Sequence, residues 1–226
     1  MPRKAVLFDM DGVIVLSNPA HLATWQFFAA EKLGLKVTEE LFFRYISGRK
    51  NEEALAALFP GRFSPEEATR LSNEKEACYR ERFGPTLEPV PGVLELIRDL
   101  SSPPTKREVV CALVTSAIAA NAQYVLHRFG LQDAFAAIIT GEEVEKAKPD
   151  PTIYLLGASR VGAAPDDCLV LEDAYAGVLA AKRAGMTCVA VTTSEPEERL
   201  MKAGADVILP DFRGVDWSYL RTVIMS

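Results

Sequence analysis

Two acidic clusters follow apolar segments directly. Asp9-Met10-Asp11-Gly12 comes after Lys4 to Phe8, and Glu172-Asp173 comes after Cys168 to Leu171. Carboxylates at positions i and i+2 of an extended chain project to one side, and Gly12 permits the sharp departure that exposes them. Such a pair can hold a hard cation through oxygen and leave one carboxylate free to react. A twelve-position calcium loop does not fit, because the twelfth residue from Asp9 is Ala20 rather than Glu and an apolar strand precedes it. Plain solvated turn carboxylates are the other reading, and Asp173 is also placed to cap a helix. If both clusters leave one sheet edge, three or four carboxylates converge on a single Mg2+; without a cation, their crowding would raise their pKa values.

Two further positions suit an anion. Thr115-Ser116 ends the run Val109 to Val114, where a hydroxyl and the following N–H groups can meet a phosphate oxygen or simply cap the next helix. Lys148 stands in Ala147-Lys148-Pro149-Asp150-Pro151, where prolines stiffen the chain and an ammonium can be aimed as a point charge. Taken singly, a lysine of this kind is usually solvated.

These residues need a scaffold that delivers strand ends to one edge. Runs at Lys4 to Phe8, Val109 to Val114, Ala136 to Thr140, Cys168 to Leu171, Thr187 to Val191 and Asp206 to Leu209 read as buried parallel strands. Helical periods lie between them at Ala119 to Phe129, Thr152 to Val161, Ala174 to Ala184 and Pro196 to Lys202, several closed by glycine. The alternation predicts an α/β doubly wound, Rossmann-like parallel-sheet core, with ligands bound outside the carboxyl ends of its strands. From Asn18 to Phe83 the pattern is helical only and far longer than a crossover needs, which predicts an inserted all-helical cap domain. The expected boundaries are 1–15 with 87–226 for the core and 16–86 for the cap. Pro91 is placed to open a helix over Gly92 to Leu100.

The chain has 226 residues, 49% hydrophobic and 25% charged, within the range of ordinary folded proteins and outside that of disordered or fibrous ones. No apolar run approaches the roughly 20 residues of a membrane span. A net charge of -6 with scattered basic residues argues against nucleic acid as partner. The four cysteines lack a CxxC spacing and read as buried free thiols, and two histidines are too few for a histidine-rich zinc site. With Met-Pro-Arg-Lys leading straight into a strand, the expected location is the cytoplasm, and monomer is the default state.

Taken together and in order, Asp9-x-Asp11-Gly12, Thr115, Lys148-Pro149 and Glu172-Asp173 resemble the four motifs of the haloacid dehalogenase superfamily of phosphotransferases. The helical insertion is similar to the cap of its beta-phosphoglucomutase-like branch. The resemblance implies Asp9 as the nucleophile that becomes phosphorylated and Asp11 as general acid, then base. It implies Thr115 and Lys148 as phosphoryl ligands, and Mg2+ on Asp9, the Asp11 carbonyl and Asp173, with Glu172 assisting. It places Ser17, His21, Trp25, Lys75 and the stretch Gly48, Arg49 and Asn51 toward the substrate, with Ser116 beside Thr115. Asp11 separates phosphate chemistry from simple dehalogenation.

Within that branch the mutase anchors a distal phosphate through an arginine in the first cap loop and a serine and an asparagine after the second motif. Here Asn51, Ala117 and Ala119 stand at those places, Arg49 and Lys50 lie nearby, and Leu16 replaces a common hinge aspartate. The expectation is therefore a Mg2+-dependent phosphatase acting on a small phosphorylated metabolite, a sugar or polyol phosphate. The alternatives are a beta-phosphoglucomutase-like mutase and a non-catalytic metabolite binder on the same scaffold.

Overall fold

A computed structural model of the chain describes residues 4–46 and 49–224. The chain divides into two compact units, residues 1–16 with 88–226 and residues 17–87. No helix among the described residues is long and apolar enough to cross a membrane.

The first unit is a six-stranded, wholly parallel sheet in the order β3-β2-β1-β4-β5-β6. Its strands are β1 (Lys4–Phe8), β2 (Val109–Val114), β3 (Ala137–Ile139), β4 (Cys168–Glu172), β5 (Thr187–Val191) and β6 (Val207–Leu209). Every residue of β2 and β4 is buried, as a strand covered on both faces requires. Ala5, Leu7, Ala112, Val114, Cys168, Val170, Cys188 and Ala190 share one core cluster with the helices α7 (Thr152–Val161) and α8 (Tyr175–Arg183). By the period of two, Val6, Phe8, Leu113, Leu171 and Val189 turn to the opposite face, and all are buried. Gly157 lets α7 approach β2 closely, since a Cβ there would lie 2.7 Å from Val114 Cγ2.

Several boundaries differ from the sequence reading for visible reasons. β4 runs on to Glu172, which pairs with Ala190 of β5, so the first acidic residue of that cluster belongs to the strand. β3 is shorter because Thr140 turns to form a capping box with Glu143. The helix α5 (Val93–Leu100) starts after Gly92, whose φ of +82° is incompatible with a helix. The remaining core helices are α6 (Ala119–Phe129), α9 (Glu197–Ala203) and α10 (Trp217–Ile224). The last was absent from the sequence reading. It buries Trp217, Leu220 and Ile224, and its first N–H donates to Asp99 Oδ2 at 2.8 Å.

The second unit holds α1 (Asn18–Leu33), α2 (Glu39–Tyr45), α3 (Asn51–Leu58) and α4 (Pro65–Cys78), followed by a π-helical turn over Tyr79–Phe83. Its own core is built from Trp25, Phe28, Leu33, Phe42, Leu55 and Leu71. Ser64 and Glu67 close a reciprocal capping box at the start of α4. All four cysteines are free, three of them buried and Cys78 half-buried.

Gly92 also abuts the backbone of Phe212, whose N–H donates to Pro91 O at 2.9 Å. A Gly92→Ala substitution combines a strained φ with a clash against main chain. It is expected to cost about 3 kcal/mol in the urea unfolding free energy. A loss within the scatter of surface substitutions would show that this approach is not tight.

Candidate active site

β1 lies at the switch point of the sheet, with β2 on one side and β4 on the other. Phe8, its last residue, pairs with Leu113 and Leu171, so the residues that follow all three strands emerge together. Asp9 is the first residue past β1, and its N–H still donates to Leu171 O at 3.0 Å. The chain then folds back. Ile14 and Val15 donate to Met10 O, and Gly12, at φ +75°, donates to Val15 O at 2.8 Å. A Cβ on Gly12 would overlap the Asp173 carboxylate, so glycine here serves close approach as well as the turn. Gly177 does the same for Glu172, whose carboxylate fills the space where a side chain would begin.

Lys148 is the hub of the polar contacts. Its Nζ donates to Asp9 Oδ1 at 2.6 Å, to Glu172 Oε1 at 2.7 Å and to the Tyr154 hydroxyl at 3.0 Å. The Tyr154 hydroxyl in turn donates to Glu172 Oε1 at 2.6 Å, and its ring lies under the ammonium at 4.8 Å. The other Glu172 oxygen accepts the N–H groups of Asp173 and Ala174. Glu172 is therefore chiefly the residue that orients Lys148. The Lys148-Pro149 peptide is cis, and Arg183 donates to Pro149 O at 2.9 Å. Thr115 is buried at the end of β2, where its Oγ1 accepts the Ala117 N–H at 3.0 Å; a hydroxyl that accepts keeps its proton to donate. Ser116 is exposed beside it.

Asp9, Glu172 and Asp173 are all buried and offer carboxylate oxygens within 4.8 Å of one another. This is an all-oxygen donor set carrying more negative charge than Lys148 balances, and it fits a hard divalent cation such as Mg2+. The electrostatics report the same imbalance. Burial, set against Lys148 and reinforced by Glu172 and Asp11, pushes Asp9 up to about 7. Burial, then Glu172 and Asp9, raises Asp173 well above the usual carboxylate range. Glu172 is lowered despite its burial, because Lys148 and Tyr154 hold its charged form, and Lys148 is raised in turn by Asp9 and Glu172 in spite of its own desolvation. Asp11 lies two residues beyond Asp9 and is half-buried.

The remaining sequence candidates fall in the helical unit. Ser17 is buried at the start of α1 and Trp25 is buried in the unit's core. Lys75 is fully buried, reaching His21 Nδ1 at 3.0 Å and Glu76 Oε1 at 2.8 Å. An ammonium only donates, so Nδ1 accepts and the imidazole is neutral. Burial, then the Lys75 charge, brings His21 down to about 3. His21 stacks on Tyr79 with centroids 4.2 Å apart. Asn51 Nδ2 donates to Glu76 Oε1 at 2.7 Å and to Ser72 Oγ at 3.2 Å, and Arg49 is exposed. Gly48 lies outside the described residues.

Sequence reasoning passed over Tyr154, Glu76 and the turn after β5. In that turn Thr193 Oγ1 donates to Gly12 O at 2.5 Å and the Ser194 hydroxyl bonds the Asp173 carboxylate. The rule that sites form at carboxyl strand ends was signal enough for Thr193 and Ser194, since they follow β5 as Asp9 follows β1. Tyr154 carried only the pattern of a buried helix face.

A model of the haloacid dehalogenase-like hydrolases matches residues 3–185. The validoxylamine A 7'-phosphate phosphatase of Streptomyces hygroscopicus subsp. limoneus is 32% identical over 96% of this chain and 98% of that protein. A phosphorylated carbohydrates phosphatase of Thermotoga maritima is 33% identical over 89% of this chain and 92% of that protein. The crystal structure of beta-phosphoglucomutase from Clostridium difficile superposes with a TM-score of 0.83 at 26% identity, covering 99% of this chain and 97% of that one.

Protons and a divalent cation compete for the same carboxylates. An aspartate whose folded pKa is raised from 3.8 to about 7 contributes stability below the lower value, and that contribution is lost as pH rises through about 7. A depressed histidine such as His21 works oppositely, its contribution being lost as pH falls below 6.5. The quantity to measure is therefore the rise in Tm caused by Mg2+, in which His21 cancels. It is expected to be small near pH 5 and to grow through pH 7. A rise independent of pH would contradict metal binding at Asp9. Gly12→Ala, which displaces Asp173, is expected to abolish the Mg2+-induced shift at every pH.

Proposed function

The chain belongs to the haloacid dehalogenase-like hydrolases, and from that premise we propose that it is a Mg2+-dependent phosphatase of small phosphorylated metabolites, sugar or polyol phosphates above all. The observation that carries this reading is the buried Lys148 ammonium joined to Asp9 and Glu172, with Asp173 beside them at the ends of β1 and β4. That the two relatives are phosphatases of validoxylamine A 7'-phosphate and of phosphorylated carbohydrates supports the substrate class.

In this mechanism a carboxylate oxygen of Asp9 attacks phosphorus in line, and the bond from phosphorus to the substrate oxygen breaks. Asp11 gives that oxygen its proton, so an alcohol leaves rather than an alkoxide. Lys148, the Thr115 hydroxyl and the N–H groups after β2 neutralise the equatorial oxygens as the phosphoryl group crosses. Mg2+, when bound by Asp9, Asp173 and the Asp11 carbonyl with help from Glu172, supplies further charge neutralisation on those oxygens. Asp11, now a base, takes a proton from water, the water oxygen attacks the aspartyl phosphate, and inorganic phosphate departs with Asp9 restored. Selection of the substrate body is assigned to the helical unit through Ser17, His21, Trp25, Arg49, Asn51 and Lys75.

One contact favours hydrolysis of monophosphates over the mutase reaction. The Ala119 N–H at the start of α6, where a second phosphate would be anchored, is already taken by Glu142 Oε2 at 2.7 Å. A carboxylate there repels a distal phosphate, and neither Ala117 nor Ala119 carries a side-chain donor.

Phosphate release from a panel of sugar and polyol monophosphates in the presence of Mg2+ is the direct test. Wild type is expected to liberate phosphate, Asp9→Asn to lose essentially all turnover, and Asp11→Asn to lose about 100-fold or more on poor leaving groups. Accumulation of glucose 6-phosphate from beta-glucose 1-phosphate and a trace of the bisphosphate would favour the mutase. Equal, negligible rates in wild type and Asp9→Asn would favour a binding protein.

A further inference from the structure

The turn that follows β5 places three consecutive side chains on the two loops that carry the acidic cluster. Thr193 Oγ1 donates to Gly12 O at 2.5 Å, holding the loop that runs on from Asp9. The Ser194 hydroxyl bonds the Asp173 carboxylate, and its Oγ would lie 2.8 Å from a Cβ on Gly12. Glu195 Oε1 accepts the Tyr175 N–H at 3.1 Å, at the first residue of α8, and the Arg199 guanidinium that pairs with Glu195 lies 5.4 Å over the Tyr175 ring. The Asp173 carboxylate and the Ser194 hydroxyl thus both lie against the face of Gly12 where a side chain would begin.

We propose that Thr193, Ser194 and Glu195 form a strap that sets the Asp173 carboxylate for a divalent cation, with Ser194 as its principal positioning residue. The inference rests on the Mg2+ reading above. The physical reason is electrostatic. Asp9, Glu172 and Asp173 repel one another, and without a fixed donor the Asp173 carboxylate would rotate away from the other two. A hydroxyl bonded to one of its oxygens holds the orientation before the cation arrives, and outer partners of ligating carboxylates commonly change metal affinity about 10-fold or more. The Thr193 contact does the same for the Gly12 backbone against which Asp173 lies. Ser194 is exposed and Asp173 buried, so the strap reaches the cluster from its solvent edge and its removal leaves the core intact.

The test is titration of the whole protein with Mg2+ alone, by calorimetry and by the Mg2+ dependence of Tm, without substrate. Ser194→Ala is expected to fold when metal-free, with at most a modest drop in Tm, and to bind Mg2+ about 10-fold more weakly. Ser194→Thr, which keeps the hydroxyl, is expected to restore affinity, and Thr193→Val to weaken it in the same direction. In phosphatase assays the loss in Ser194→Ala should lie in the Mg2+ concentration for half-maximal rate, with kcat recovered at saturating Mg2+. Wild-type Mg2+ affinity in Ser194→Ala overturns the strap while leaving the cation reading intact. Equal weakening in Ser194→Ala and Ser194→Thr also overturns it, because the hydroxyl is then irrelevant. Failure of wild type to bind Mg2+ at all overturns both.

Discussion

The three contacts of the Lys148 ammonium are the constraint on which the rest of the site depends. A buried positive charge joins Asp9, just past the first strand, to Glu172 at the end of the fourth, positions separated by most of the chain. Neither carboxylate is tolerable at that depth without it, and an ammonium buried without them would be equally costly. Tyr154 and the two N–H groups on Glu172 complete the hydrogen bonding that makes such a charged cluster affordable. The same contacts orient Lys148 so that its charge remains beside Asp9, where phosphoryl chemistry needs it.

The compensation is incomplete, and this is functionally useful. Burial, reinforced by the neighbouring carboxylates, displaces Asp9 and Asp173 upward, while Lys148 pulls Glu172 down. Such a set of buried oxygens offers a hard divalent cation a charge-compensated place. Two glycines make this geometry possible in a strictly steric sense, Gly12 by leaving room for Asp173 and Gly177 by leaving room for Glu172. Their value lies in the absence of a Cβ, with the turn conformation of Gly12 as an added requirement.

The helical unit follows a different logic. Its polar group is a buried Lys75–Glu76 pair, bridged to Asn51 and abutting a neutral His21. Here the Lys75 charge is met locally by the Glu76 carboxylate.

Strand periodicity, glycine stops and the position of acidic residues after apolar runs determined the parallel core, the helical insertion and the residues at the three strand ends. Those features are local, because covering both faces of a strand forces a continuous apolar run and the carboxyl end of such a strand is where the chain must turn. The α10 helix was equally legible, because Trp217, Leu220 and Ile224 stand at the i, i+3 and i+7 spacing of one helix face. Only the tertiary structure decided that Glu172 serves Lys148, that Tyr154 joins them, that Glu76 neutralises Lys75 and that Thr193 and Ser194 touch the acidic loops. Each of these is a pairing between side chains far apart in sequence or on facing elements, and partner choice of that kind depends on distance and burial, which residue order does not encode locally.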